Sequence, residues 1–300
     1  METSLPRVRG FAISARTFRS LATASAFMSL LVIVTGATVR LTASGLGCQH
    51  WPGCQSTQFL PEKGYHSVIE FTNRGIAGVT VLATLLAFVG SLLYAGAPRW
   101  LRWTAGVVFA GTFAQAPLGA ITVHYHLNPW LVLSHFLLSM AVLPLAVLVA
   151  LEAWQLRGDP VPALVRRASL VLGLAAGLMI VAGTLATAGG PHPGSSADVR
   201  RLDTFGSAVY WHVRATAVFG VSLALLLAWL WRSRSSHVRF GLGVVGVLVV
   251  QMVVGEVQYR TELPWWLVLI HVFLAASLWA ATAAFVLSLW RPAPATRILR

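Results

Sequence analysis

Charge is the scarcest commodity in this chain. Asp, Glu, Lys and Arg together make up 10% of its 300 residues, while 57% are hydrophobic. Soluble domains carry about 25% charged residues, so an ordinary water-soluble fold is excluded. Acidic side chains number nine against 22 basic ones, a formal net charge of +13. That balance raises nucleic acid as a partner. The basic residues sit in short loops between apolar runs and form no separate domain, which argues against it. Cysteine is limited to Cys48 and Cys54. The chain therefore holds at most one internal disulfide.

Long apolar runs are what remain. Eight stretches of about 20 residues recur along the chain, each able to cross a bilayer as a helix surrounded by membrane lipid. Lipid forbids unpaired backbone, so the expected class is an all-α membrane protein, a bundle of eight transmembrane helices. The expected spans are 21–39, 68–94, 103–123, 130–153, 168–188, 208–231, 240–258 and 265–289. Residues 1–20 read as an arm, 21–153 as a first half, 154–168 as a linker, 169–290 as a second half and 291–300 as a tail.

The arm carries Arg7, Arg9, Arg16 and Arg19. Loops on the same side add Arg99, Arg102, Arg157, Arg166, Arg167, Arg232, Arg234 and Arg239, and the tail adds Arg291, Arg297 and Arg300. Opposite loops hold Arg40, Lys63, Arg200, Arg201 and Arg260, nearly balanced by Glu62, Asp198, Asp203 and Glu262. The positive-inside rule puts both termini in the cytoplasm of a plasma-membrane protein. An Arg-rich, acid-poor arm also suits an organelle transit peptide. It runs straight into the first span, which favours a membrane-anchoring flank.

The chain repeats itself. Gln115–His135 (QAPLGAITVHYHLNPWLVLSH) and Gln251–His271 (QMVVGEVQYRTELPWWLVLIH) align without a gap, sharing the Gln, the Gly, the run Trp-Leu-Val-Leu and the closing His. IVTGATVRLTASG near the end of span one resembles IVAGTLATAGG near the end of span five. Four spans per half give both halves one orientation, a parallel repeat about an axis along the membrane normal. The bundle is therefore expected as two similar four-helix halves.

Ionisable groups inside spans are costly and mark functional sites. Glu70, Asn73 and Arg74 share one face of span two. His212 and Arg214 lie on span six, and His135 and His271 at the starts of spans four and eight. A lone His in a span is more often a packing residue than a ligand. Two at equivalent repeat positions, with His212 able to face His271, suit the axial ligation of haem iron. Arg214 is then expected at the haem propionates. Zinc fits less well, since no third ligand lies at a fixed spacing. Aligned on the following Arg residues, the first half offers Asn73 where the second offers His212, and Glu70 where the second has Val209. The second half looks equipped to hold haem from both sides. The first, with a His, an amide and a carboxylate able to hold a proton, looks like a reaction site. Glu70 as a helix-capping surface residue is the plainer reading.

Cys48 and Cys54 are six residues apart in the first loop, on the side that permits disulfides, and a small ring is open to them. His50, His66, His124, His126 and His192, like His237 on the other side, read as solvated. Glu256 reads as a buried carboxyl with no evident partner.

The stretches VTGATVRLTASGLGCQHWPGC, IEFTNR (Ile69–Arg74) and the two Trp-Leu-Val-Leu-x-His segments resemble the haem A synthase family, and the resemblance covers about 21–289. It implies oxidation of the C8 methyl of haem O to a formyl group, giving haem A for terminal oxidases. It implies haem b held by His212 and His271 in the second half, and the substrate haem held by His135 in the first, with Asn73 and Arg74 beside it. Glu70 matches the family's catalytic carboxylate, and Cys48 and Cys54 its disulfide. Haem O synthase is the implied partner; the electron acceptor is unnamed and a homo-oligomer is left open. The family motif has His where this chain has Asn73. An amide is a poor iron ligand, so either His135 alone holds the substrate iron, leaving an open face, or the activity is lost or altered; the otherwise intact motifs favour the first.

Two other classes use part of this pattern. A membrane b-type cytochrome would use His212 and His271 but leave Glu70 and the cysteines without a role. A transporter would use the parallel repeat, but the polar groups cluster near one face and neither half shows a broken helix.

Overall fold

The computed structural model describes residues 12–56, 58–61, 64–196 and 199–291. Eight helices account for most of them: α1 (Ala15–Leu41), α2 (Tyr65–Leu93), α3 (Arg99–His124), α4 (Pro129–Ala153), α5 (Ala163–Gly189), α6 (Phe205–Arg232), α7 (His237–Arg260) and α8 (Trp265–Trp290). All eight are long and apolar enough to cross a membrane. This is a multi-pass membrane protein.

Helix ends follow local chemistry. α1 starts at Ala15 rather than near Leu21, because Ser14 caps it by accepting from the Thr17 N–H at 3.1 Å. That added length holds Arg19, whose Nε donates to the Ala153 carbonyl at 3.2 Å and whose guanidinium lies over Trp154. α4 starts on Pro129, with Asn128 accepting from the Trp130 N–H at 3.0 Å, a favoured pairing of cap and first-turn proline. α5 begins at Ala163, inside the stretch expected as linker. Of the charged residues weighed above, Arg7, Arg9, Glu62, Lys63, Asp198, Arg297 and Arg300 lie outside the described residues.

The packing repeats as the sequence does. Helix α1 contacts α2 and α4, α2 contacts α3, and α3 contacts α4; α5 to α8 pack in the same cycle. The two sets meet through α1 with α8, α4 with α5, and α4 with α8. Replacing each helix by the one four places away leaves this set of contacts unchanged. That is compatible with two four-helix halves about an axis between α4 and α8.

At the centre, Ile33, Met140, Leu143, Ile180 and Ala276 bury one another across α1, α4, α5 and α8. Trp279 Nε1 donates to the Met140 carbonyl at 2.7 Å across the same seam. The largest apolar core, including Leu172, Phe219, Leu223, Leu230 and Phe285, fills the α5–α8 set away from the α5–α6 loop. Within α1–α4, Phe18, Leu101 and Val149 fill the corresponding end, and a cavity opens at the opposite end, beside the α1–α2 loop.

Candidate functional site

α2 begins under the loop that joins it to α1. Glu70, in its second turn, is only 4% exposed. Its Oε2 accepts the Cys48 N–H at 2.8 Å, and its Oε1 accepts from Arg74 at 2.6 Å. Arg74 also donates to the carbonyls of His50, at 2.6 Å, and Gly53, at 2.7 Å. Cys48 and Cys54 form a disulfide and are fully buried. One carboxylate, one guanidinium and one disulfide thus lock the loop onto the helix. Close approach explains a glycine here, since a Cβ on Gly47 would stand 2.6 Å from the His66 backbone. Arg74, expected at the substrate, uses its donors as a strut.

Beside this lock lies a cavity of about 710 Å³, lined by Glu70, Asn73, Arg74, Gln115, His135 and Ser139 among others. Gln115 Nε2 donates to the His135 carbonyl at 3.2 Å and to Ser139 Oγ at 2.6 Å. The His135 Nδ1 is buried and has no hydrogen-bond partner among the described residues. A neutral imidazole with a free nitrogen beside a cavity can ligate a metal. Asn73 accepts from the Thr35 hydroxyl at 2.7 Å.

In the other set, the rings of His212 and His271 face each other with centroids 6.3 Å apart. His212 Nδ1 is held by the Met179 carbonyl at 2.9 Å, the kind of contact that fixes a ligating imidazole and leaves Nε2 free. The His271 Nε2 lies 3.1 Å from Gln251 Nε2, and its Nδ1 is buried without a partner among the described residues. These two residues fit a pair of axial ligands.

Glycines explain why the repeat is conserved within the chain. A Cβ on Gly119 would stand 3.4 Å from His135 Cε1; one on its counterpart Gly255 would stand 3.0 Å from His271 Cε1. A Cβ on Gly183 would meet His212 at 2.9 Å, yet one on its counterpart Gly36 would meet nothing within 4 Å. Gly36 lines the cavity. The first set keeps the glycine that makes room for an imidazole, but Asn73 is too short to fill it. The Gln and Gly of the repeat were visible in sequence; their placement against the histidines was not.

Other expectations need correction. Arg214 is exposed, lies over the Tyr210 ring and donates to the Tyr210 carbonyl at 3.3 Å; it lines neither the cavity above nor a smaller one beside Phe205. Glu256 is exposed and paired with Arg260 at 2.5 Å, because the i,i+4 spacing on the last turns of α7 brings them together. His237 is 4% exposed, between Ser288 Oγ at 3.2 Å and the Asp159 carbonyl at 3.0 Å, since the α4–α5 linker folds over the start of α7. His192 lies 2.7 Å from the Leu263 carbonyl. His50, His66, His124 and His126 are exposed as expected.

An eight-helix membrane bundle with histidines at repeat-related helix starts, a buried carboxylate and a locked disulfide loop defines a narrow class. The chain belongs to the cytochrome oxidase assembly protein family (COX15-CtaA), whose model matches residues 19–64 and 59–283. Among curated relatives, "Heme A synthase" of Bacillus pumilus is 34% identical over 140 residues, covering 45% of each protein. "Heme A synthase" of Lysinibacillus sphaericus is 30% identical over 139 residues, again 45% of each. "Protoheme IX farnesyltransferase" of Thermus thermophilus is 27% identical over 281 residues, 84% of this chain and 45% of that protein. The chain thus spans about half the length of the curated relatives it matches.

Proposed function

We propose that this chain is a haem A synthase, oxidising the C8 methyl of haem O to a formyl group to give haem A for terminal oxidases. The observation that carries this reading is the division of labour between the helix sets. One has a cavity with a buried carboxylate and a single free imidazole; the other has two facing imidazoles. The names of the relatives support the same chemistry. Substrate haem O occupies the α1–α4 cavity with its iron toward His135 and the Asn73 side open. Glu70 is the catalytic carboxylate. Methyl oxidation releases protons, and a cavity-lining carboxylate held by the Cys48 N–H and Arg74 can accept one.

His212 and His271 hold haem b. Bound there, haem b supplies one-electron transfer. The Met179 carbonyl and Gly183 orient His212, and Gln251 and Gly255 orient His271. The organisation is thus a substrate half at 21–153 and a cofactor half at 169–290, with both termini cytoplasmic in a cell membrane. A haem O synthase is the natural donor of substrate: the Thermus relative named for farnesyl transfer to protohaem matches most of this chain and has as much length again outside the match.

The test is haem extraction and mass analysis of the purified chain after co-production with a haem O synthase. Haem A, or its hydroxylated precursor, together with haem B is the expected result. Haem B alone, with unconverted haem O in the membranes, would overturn the synthase reading in favour of an electron-transfer cytochrome.

A further inference from the structure

Three arginines at the cavity are unexplained by the roles above. Arg40 is in the last turn of α1; Arg200 and Arg201 come from the loop between α5 and α6. All three line the α1–α4 cavity. The loop that supplies the latter two is tied across the seam: the Gly45 N–H donates to the Gly194 carbonyl at 2.7 Å, and Ser44 pairs with Ser195 in an isolated bridge. Arg40 crosses the same seam to donate to the Thr187 carbonyl, yet its Nε is buried with no partner among the described residues. Arg201 donates to the Gly190 carbonyl at 3.3 Å.

Among the described residues, charge at this rim is not compensated. Among the described residues the only carboxylate lining the cavity is Glu70, and Arg74 already engages it. None of Arg40, Arg200 and Arg201 has a carboxylate within ion-pair distance among the described residues. Cations at the end of a largely apolar cavity recognise an amphiphile with anionic groups at one end. Guanidinium pairs carboxylates bidentately and tolerates partial burial better than ammonium does.

We propose that Arg40, Arg200 and Arg201 grip the two propionates of the haem in this cavity, and so set which edge of the macrocycle meets Glu70. This rests on the proposed function. The C8 methyl shares its pyrrole ring with a propionate. Holding that propionate at the rim keeps the methyl at the end of the bundle where α1 finishes and α2 starts, where Glu70 is also found. The half that lacks the reaction site thereby supplies two of the three positioning residues.

The test is spectroscopic titration of the purified full-length chain with haem B and with haem B dimethyl ester, which lacks both carboxylates. The cavity's share of binding is the part lost in His135→Ala. The wild type should prefer the free acid by about tenfold or more, as expected for losing charge-assisted hydrogen bonds. The double variant Arg200→Gln, Arg201→Gln, changed only on exposed loop residues, should lose most of that preference while still binding the ester. Arg40→Lys should keep part of it and Arg40→Gln little. Equal binding of acid and ester by the wild type, with His135 still required, would overturn this inference alone. The same holds if the double variant keeps the full preference. Absence of any His135-dependent binding would overturn the haem reading and this inference with it.

Discussion

Alanine at two repeat-related glycines should have opposite consequences. At Gly183 an added Cβ would stand 2.9 Å from His212 Cε1 and 3.0 Å from Nδ1, where ordinary contact begins at 3.4 Å. The ring must retreat by about 0.5 Å, the difference between 3.4 and 2.9. The His212 bond to the Met179 carbonyl is now 2.9 Å, so that retreat brings it to the edge of hydrogen bonding. Losing it costs about 1 kcal/mol. Replacing Gly by Ala inside a helix returns about as much. Gly183→Ala should therefore unfold at nearly the wild-type temperature, and a stability screen would miss it. On the proposed function the effect should be in ligation: a weakened low-spin signal in electron paramagnetic resonance and a shifted midpoint potential of the haem that His212 and His271 would hold. Gly36→Ala meets no atom within 4 Å and should be stabilised by up to about 1 kcal/mol, with that signal unchanged. The reasoning fails if Gly183→Ala leaves signal and potential unmoved, or if Gly36→Ala perturbs them equally.

Asn73→His should use the space beside Gly36 and convert the His135-bound haem from high to low spin without raising turnover; a large rise in turnover would sink the open-face reading. Arg74→Lys has a point charge where a planar fork now reaches His50, Gly53 and Glu70, so the disulfide loop should become sensitive to limited proteolysis and conversion should fall at least tenfold, about 1.4 kcal/mol of lost positioning; an intact loop with full activity would refute the strut. Asp159, in the α4–α5 linker, accepts from the Ser236 N–H at 3.0 Å, and the bonds from Ser236 hold its pKa below the usual 3.8. A lowered folded pKa stabilises above the unfolded value and is lost as pH falls through the folded one. The thermal stability gap between wild type and Asp159→Ala should therefore be constant near neutrality and close on acidification below about pH 3.8; a gap that widens with acid would refute it.

Span number and the repeat were legible because both are written in local composition. Runs of Leu, Val and Ala set the helices, and the paired Gln-x-x-x-Gly and Trp-Leu-Val-Leu-x-His segments set the correspondence between α3–α4 and α7–α8. Side chains that act across helices were legible only in part. Glu70 and Arg74 are one turn apart, so their pairing follows from spacing. That both hold the Cys48–Cys54 loop does not, since those contacts span 21 to 24 residues. Arg214 is exposed over the Tyr210 ring, a placement that helical position, which gives depth but not azimuth, does not reveal. Arg40, Arg200 and Arg201 passed as loop charges to be balanced, because nothing in the sequence says that the α5–α6 loop folds over the other half's cavity.

That crossover bears on how the two halves diverged. If each half were an independent haem holder, the α5–α6 loop would be expected to cover its own helices. Instead Gly194 and Ser195 bind the α1–α2 side, and Arg40 reaches the carbonyl of Thr187, its own repeat counterpart. The seam is thus a joint structure: the side that has Asn73 in place of a second imidazole is lined in part by Arg200 and Arg201 from the other. A site that must bind, turn over and release its haem gains from exchangeable ionic contacts at the rim in place of a second strong bond to iron. On the proposed function, a site that keeps its haem has no such need, which would account for His212 and His271 on one side and a single His135 on the other.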